Sequence, residues 1–281
     1  MTRAGARAIF AVLLAAMPLG AQSLAVVAPL LAQYDGGPSI PAGFGYGSGE
    51  SIHLTFDVAG FKPSADDDPK IDLAWECAVF DAAGLLLTAP KKGEVKVELA
   101  AEDKKWRPRV RVEFPLPEAL AAGGGEIRIS AVDRVANKTA ELKVPFRTRG
   151  LSLDGVDSLR ALRFRFLRAE HSAEPLTVAA YRPGDTVWAR FELAGYKLGP
   201  SNSFHVSYGL EVFRANGESL FNQEEAANES GQSFYPRRYV FGVLSLQLTK
   251  DLALGEYTIL LRLKDHGGNA TAESKHSFRV E

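Results

Sequence analysis

The sequence is short of cysteine, with one thiol, Cys77, in 281 residues. An intramolecular disulfide is therefore ruled out, and stability has to come from buried apolar surface. An excess of charge of one sign is also missing, since 33 Lys+Arg stand against 34 Asp+Glu and leave a net charge of −1. That balance excludes a polycation held to nucleic acid by phosphate neutralisation, and equally an acidic disordered chain. Beyond the first 31 residues no apolar run approaches spanning length, which excludes a polytopic helical membrane protein. Helical periodicity is scarce, with short possibilities only at 117–122 and 250–254. Catalytic motifs are lacking as well. No Gly-x-Ser-x-Gly elbow occurs, and the glycine-rich stretch 43–49 does not open a helix after a strand, as a phosphate-binding loop would.

What is present begins with Arg3 and Arg7, then the apolar run from Ala8 to Met17, then Pro18, Gly20 and small residues. This order is that of a secretory leader, and residues 1–25 are expected to be cleaved off as a signal peptide. The best small-x-small sites end at Ala25 or Ser23. An uncleaved anchor is the competing reading, but Pro18, Gly20, Gln22 and Ser23 interrupt the roughly 20 apolar residues that a span needs. The expected product is periplasmic or secreted, without a stable membrane span. Losing two of the 33 basic residues and none of the 34 acidic ones leaves it with a net charge of −3.

The rest of the chain repeats itself. Residues 46–62 align without gaps on 181–197, and of 17 pairs six are identical and six are like-for-like. The register continues from 79–84 to 212–217 and from 133–146 to 265–278. The offset falls from 135 to 133 to 132, so the length differences sit in loops. This predicts two domains of similar fold, 26–148 and 149–281, joined near Arg149-Gly150 too closely for free tumbling and so forming a fixed or hinged elongated pair.

Within each half the period is two. Ile52, Leu54, Phe56 and Val58 alternate with polar residues, as do Val95, Val97 and Leu99, and Val110, Val112 and Phe114. In the second half Leu162, Phe164 and Phe166 do the same, and so does the run from Tyr257 to Leu263. Such runs, separated by turns such as Ala82-Ala83-Gly84 and Ala215-Asn216-Gly217, predict an all-β protein of two tandem antiparallel β-sandwiches. The closing hairpins, Gly125 through Asn137 to Phe146 and Gly255 through Asn269 to Phe278, resemble those of bacterial immunoglobulin-like and fibronectin-type-III-like domains. Trp75 and Tyr208 stand at matching places in a central strand, where such folds bury an aromatic residue. The resemblance implies binding, spacing or scaffolding more often than catalysis, and fold alone does not settle function.

Candidate sites are few. His53, His171, His205, His266 and His276 show no zinc-ligand spacing, and His53 aligns with Trp188. Cys77 aligns with Leu210 in an apolar strand and reads as a buried, inert thiol. Asp66-Asp67-Asp68 could hold calcium, but the matching loop has no carboxylate, so a solvated loop is the better reading. Asp133/Asn137 and Asp265/Asn269 repeat with the duplication and read as turn-closing residues, with calcium as the alternative. Gly60 and Gly195 read as strand ends or bulges.

Two patches mix guanidinium groups with rings or strand. Arg163 and Arg165, with Arg160 and Arg168, lie along one strand, and Tyr235, Arg237, Arg238 and Tyr239 lie in the stretch from Phe234 to Phe241. Arginine beside aromatics can stack sugars or join protein interfaces, which makes these six residues the candidate binding patch, against the plainer reading of a polar strand face and a loop. No catalytic, metal or cofactor residue is expected. The reading is a non-enzymatic binding or scaffold protein of the bacterial envelope or extracellular space, with a protein or polysaccharide partner. The alternatives are a carbohydrate-binding accessory module using the 234–241 aromatics, or an enzyme with its site at the interdomain cleft.

Overall fold

The computed structural model describes residues 23–281 apart from 101, 102 and 104. The expected leader therefore lies, over residues 1–22, outside the described residues. Ala25 already pairs with Ala59, and Leu24 belongs to the core. A cut after Ala25 would thus remove a strand residue and a core residue, whereas a cut after Ser23 leaves both.

The first half comprises β1 (Ala25–Ala32), β2 (Ser51–Ala59), β3 (Lys70–Asp81), β4 (Lys91–Glu98), β5 (Arg109–Pro115), β6 (Gly123–Asp133) and β7 (Lys138–Thr148). The second comprises β8 (Arg160–Leu167), β9 (Ala180–Tyr181), β10 (Thr186–Ala194), β11 (Phe204–Arg214), β12 (Ser219–Gly231), β13 (Tyr239–Gln247), β14 (Gly255–Asp265) and β15 (Ala270–Val280). In the first, a sheet ordered β1-β2-β5 faces one ordered β4-β3-β6-β7; in the second, β8-β10-β13 faces β12-β11-β14-β15-β9. All pairings are antiparallel except β9 on β15. The fold is all-β. The possible helices at 117–122 and 250–254 are turns, too short to close successive i→i−4 bonds, and among the described residues the one helical turn is the 3-10 segment Pro200–Asn202.

Alternation becomes burial in the expected sense. Ile52, Leu54, Phe56 and Val58 of β2 enter one core with Ile127 and Ile129 of β6, while Val187, Ala189, Phe191 and Leu193 of β10 enter a second with Ile259 and Leu261 of β14. Each such large side chain contributes about 1.5–3 kcal/mol of burial. The regular alternation breaks in β8, because Arg163 sits at φ 46 in a bulge, and its counterpart Ala28 in β1 does likewise at φ 51. β12 escaped the sequence reading because its two large apolar residues, Leu220 and Phe221, are adjacent and not alternating, and the strand buries little.

Aligned residues also make like bonds. Tyr46 Oη donates to the Ala32 carbonyl at 3.3 Å and Tyr181 Oη to the Leu167 carbonyl at 3.1 Å, each tying a loop to the end of the first strand of its half. Phe56 meets Trp75 edge-on at 6.3 Å, and Phe191 meets Tyr208 edge-on at 5.0 Å. The edge strand β4 carries Lys91, Lys92 and Lys96, and β12 carries Glu224, Glu225 and Glu229, charges that discourage pairing with another sheet.

Strand directions define two ends for each half. The head holds the β2–β3, β4–β5 and β6–β7 connections, or their counterparts, and the tail holds the β3–β4 and β5–β6 connections. β7 ends at the tail of the first half, the segment 149–159 follows, and β8 begins at the head of the second. The halves therefore meet head to tail, through a small apolar cluster of Ala119, Leu151, Ala194 and Tyr239.

Candidate functional site

The predicted patch separates into two arrangements, with the two tyrosines buried and the four arginines partly exposed. Tyr235 and Tyr239 are buried, so they do not present their rings to solvent as a binding patch requires. Tyr235 inserts into the first half's core, and its hydroxyl donates to Asp81 Oδ2 at 3.1 Å. Burial, and secondarily the Asp81 carboxylate, push its hydroxyl pKa up to about 12. Tyr239 Oη donates to the Leu120 carbonyl at 3.4 Å. Arg238 lies 3.8 Å from Asp81 and Arg237 lies 3.9 Å from Glu118, so the guanidinium groups frame the same contact. These four residues of the second half's head grip the first half's tail. The sequence signal was of an interface; the partner is the same chain, and only Phe234 and Phe241 of that stretch stay well exposed.

Arg163 and Arg165, both partly exposed, clamp a buried carboxylate. Glu192 on β10 accepts from Arg163 Nη2 at 2.8 Å and Nε at 3.0 Å, and from Arg165 Nη2 at 3.3 Å. The bulge at Arg163 turns its side chain toward Glu192, which the strand alternation alone did not reveal. At the aligned position of the first half, Asp57 takes a bidentate pair from Arg109 at 2.8 and 3.1 Å.

The other candidates resolve locally. Asp133 is buried and accepts from the backbone N–H of Lys62 at 2.7 Å, Val135 at 2.9 Å and Ala136 at 3.1 Å. Asp265 likewise accepts from Lys197 at 2.8 Å and Gly267 at 2.9 Å. Each carboxylate pins the loop after one sheet to the turn of the other, while Asn137 and Asn269 take φ 51 to close the turns. Gly195, at φ 79, admits no side chain, since a Cβ would stand 2.1 Å from the Ser158 carbonyl oxygen.

Cys77 is buried, and burial raises its thiol pKa to about 12. Asp66, Asp67 and Asp68 are exposed, and among the described residues no group of three His, Cys, Asp or Glu is arranged to hold a metal ion. His205 and His266, far apart in sequence, stack at 4.1 Å, their Nε2 atoms bonded to Asn228 and Ser207. His276 stacks on Phe164 at 3.5 Å, and burial lowers its pKa.

A groove of about 1020 Å³ opens at the free head of the first half. Phe61 and Trp106 meet edge-on at 6.4 Å within it, among Lys62, Lys105, Arg107 and Lys138, with Asp103 the one carboxylate of its lining among the described residues. Sequence reasoning passed over this site. The available signal was the run Lys104-Lys105-Trp106-Arg107-Pro108-Arg109, which mixes a ring with basic residues as the 234–241 stretch does. Between the halves, Tyr235 fills most of the cleft and leaves a cavity of about 330 Å³ beside Leu87, Leu116 and Glu118.

No protein-family model matches this chain, and no curated protein does. Among solved structures it is similar to the C-terminal domain of the Streptococcus pyogenes antigen I/II-family protein AspA, at 10% identity and a TM-score of 0.31, covering 92% of this chain and 99% of that one. The C-terminal domain of the Streptococcus agalactiae AgI/II polypeptide BspA is similar at 10% identity and a TM-score of 0.30, with the same coverage. Among the described residues, no helix is long and apolar enough to cross a membrane.

Proposed function

We propose that the chain is an exported, non-enzymatic binding or scaffold protein of the bacterial envelope or extracellular space, built from two tandem immunoglobulin-like domains, 26–148 and 149–281, after a cleaved leader. The observation that carries this reading is the head-to-tail join. Tyr235 and Tyr239 are spent on holding one sandwich to the next through Asp81 and Leu120, which makes a stiff spacer with a free surface at its far end. β4 pairs with β3 rather than β5, and its counterpart β12 pairs with β11 rather than β13, unlike the constant-type immunoglobulin order, so the family likeness is one of architecture.

The test immobilises the exported chain and presents envelope proteins and cell-wall or plant polysaccharides to it. Specific, saturable retention of one of them is expected. A robust hydrolase activity abolished by one point substitution overturns the reading. A second reading, a carbohydrate-binding accessory module, rests on Phe234 and Phe241, the two rings of their stretch left exposed at 61% and 60%. Retention of a polysaccharide that survives Phe234→Ala and Phe241→Ala counts against it.

A further inference from the structure

The two heads are equivalent by strand register, yet only one is occupied. The β12–β13 connection of the second half, carrying Tyr235, Arg237 and Arg238, grips the first half's tail. The β4–β5 connection of the first half, carrying Lys105, Trp106 and Arg107, lines an open groove with Phe61. Both heads bring rings and cations together. What the occupied head receives is a sandwich tail whose acceptors are two carboxylates, Asp81 and Glu118, beside apolar Leu87 and Leu120.

A head-to-tail contact between like domains is heterologous and does not close on itself, so a chain with matching ends would polymerise. The second half's tail differs at the two positions that matter. Asp81 pairs with Gly125 across β3–β6 and Arg214 with Tyr257 across β11–β14, so Arg214 takes the place of Asp81. Leu116 N donates to the Glu50 carbonyl and Leu248 N to that of Asp185, and counting on from this shared register puts Lys250 in the place of Glu118. Both carboxylates have given way to basic residues, Arg214 being held by Glu218 of its own turn at 2.9 Å. At these two places the tail offers basic residues and not carboxylates to a head lined by Lys62, Lys105, Arg107 and Lys138, and like charges placed across a contact suppress it.

We propose that the groove at the free head is a docking site for the carboxylate-bearing end of a β-sandwich domain in another protein, and that Arg214 and Lys250 keep the chain from docking on itself. The proposal rests on the binding-scaffold reading and extends it by naming the surface and the chemistry of its partner. The second half's own grip on Asp81 and Glu118 is the precedent within the molecule, and the groove's excess of cations matches such an end.

The experiment restores the carboxylates on the full exported chain, as Arg214→Asp with Lys250→Glu, and measures mass by sedimentation velocity at low and moderate salt. The natural chain is expected to stay monomeric. The double variant is expected to form head-to-tail oligomers, with an about twofold or larger rise in weight-average mass at high protein concentration, dispersed by salt and by adding Trp106→Ala or Lys105→Glu. Lys250→Glu alone, in a turn outside the strands, is a milder second variant expected to self-associate more weakly. A folded double variant that stays monomeric overturns the proposal, as do oligomers indifferent to Trp106→Ala. Retention of an acidic polysaccharide by the natural chain, lost in Trp106→Ala without self-association of the double variant, also overturns it and replaces the partner's class. The binding-scaffold reading fails separately, through the hydrolase outcome above.

Discussion

Asp133 gathers three backbone donors from two sheets, so its removal leaves buried N–H groups without an acceptor. Asp133→Ala is expected to cost about 2–3 kcal/mol in urea unfolding, and Asp133→Asn less, because the amide oxygen can still accept. Glu192→Gln weakens the clamp of Arg163 and Arg165, but both guanidinium groups are partly exposed, so a loss of only about 1–2 kcal/mol is expected by the same measurement. Cys77, with its pKa raised to about 12, is expected to resist thiol reagents at neutral pH until denaturant opens the first core. Partial reactivity in the native state would show that core to open locally. That Cys77 is buried was legible from its place in an apolar alternation. That Arg163 and Arg165 turn onto Glu192 was not, because a bulge shifts the register without leaving a compositional mark.

Among the elements, the join between the halves carries one of several buried tyrosines that respond to pH. Tyr235 has an ordinary hydroxyl pKa of 10.0 in the unfolded chain and about 12 when folded. Its contribution is whole below pH 10 and is lost as the pH rises from about 10 to about 12, since the unfolded chain releases the proton first. His276 works at the other side. Burial lowers its pKa below 6.5, so its neutral form contributes fully above that value and the contribution is lost as the pH falls through the folded value. Thermal unfolding across pH is expected to fall at both margins, with Tyr235→Phe flattening the alkaline limb and His276→Gln the acid one. The strands that face a core were readable from alternation, whereas β12 was not, since a polar edge strand takes its conformation from β11 beside it.

For the whole molecule, the head-to-tail contact sets the shape. Scattering from residues 26–281 is expected to report a stiff two-sandwich particle. Tyr235→Ala, which empties a pocket in the first core and removes the bond to Asp81, is expected to broaden the distribution of dimensions and to speed proteolysis within 149–159. An unchanged profile in that variant would move the join to Leu151 and Tyr239 alone. The patch at 235–239 was visible in sequence as aromatic and basic, but the same composition serves a ligand site and a domain interface, and a partner within the chain is invisible to local reading.

By itself the sequence determined what depends on neighbours along the chain: the all-β class, the inward faces of the main strands, the turns held by Asp133 and Asp265, and the correspondence of one half with the other. Tertiary structure decided what depends on residues far apart. It placed Tyr235 on Asp81, which stands 154 positions earlier, stacked His205 on His266, and left the Trp106 head open while closing its twin. Periodicity is a local property that each strand carries into the fold, whereas the choice of which equivalent surface is covered belongs to the path of the linker and to the signs of a few charges at the domain ends.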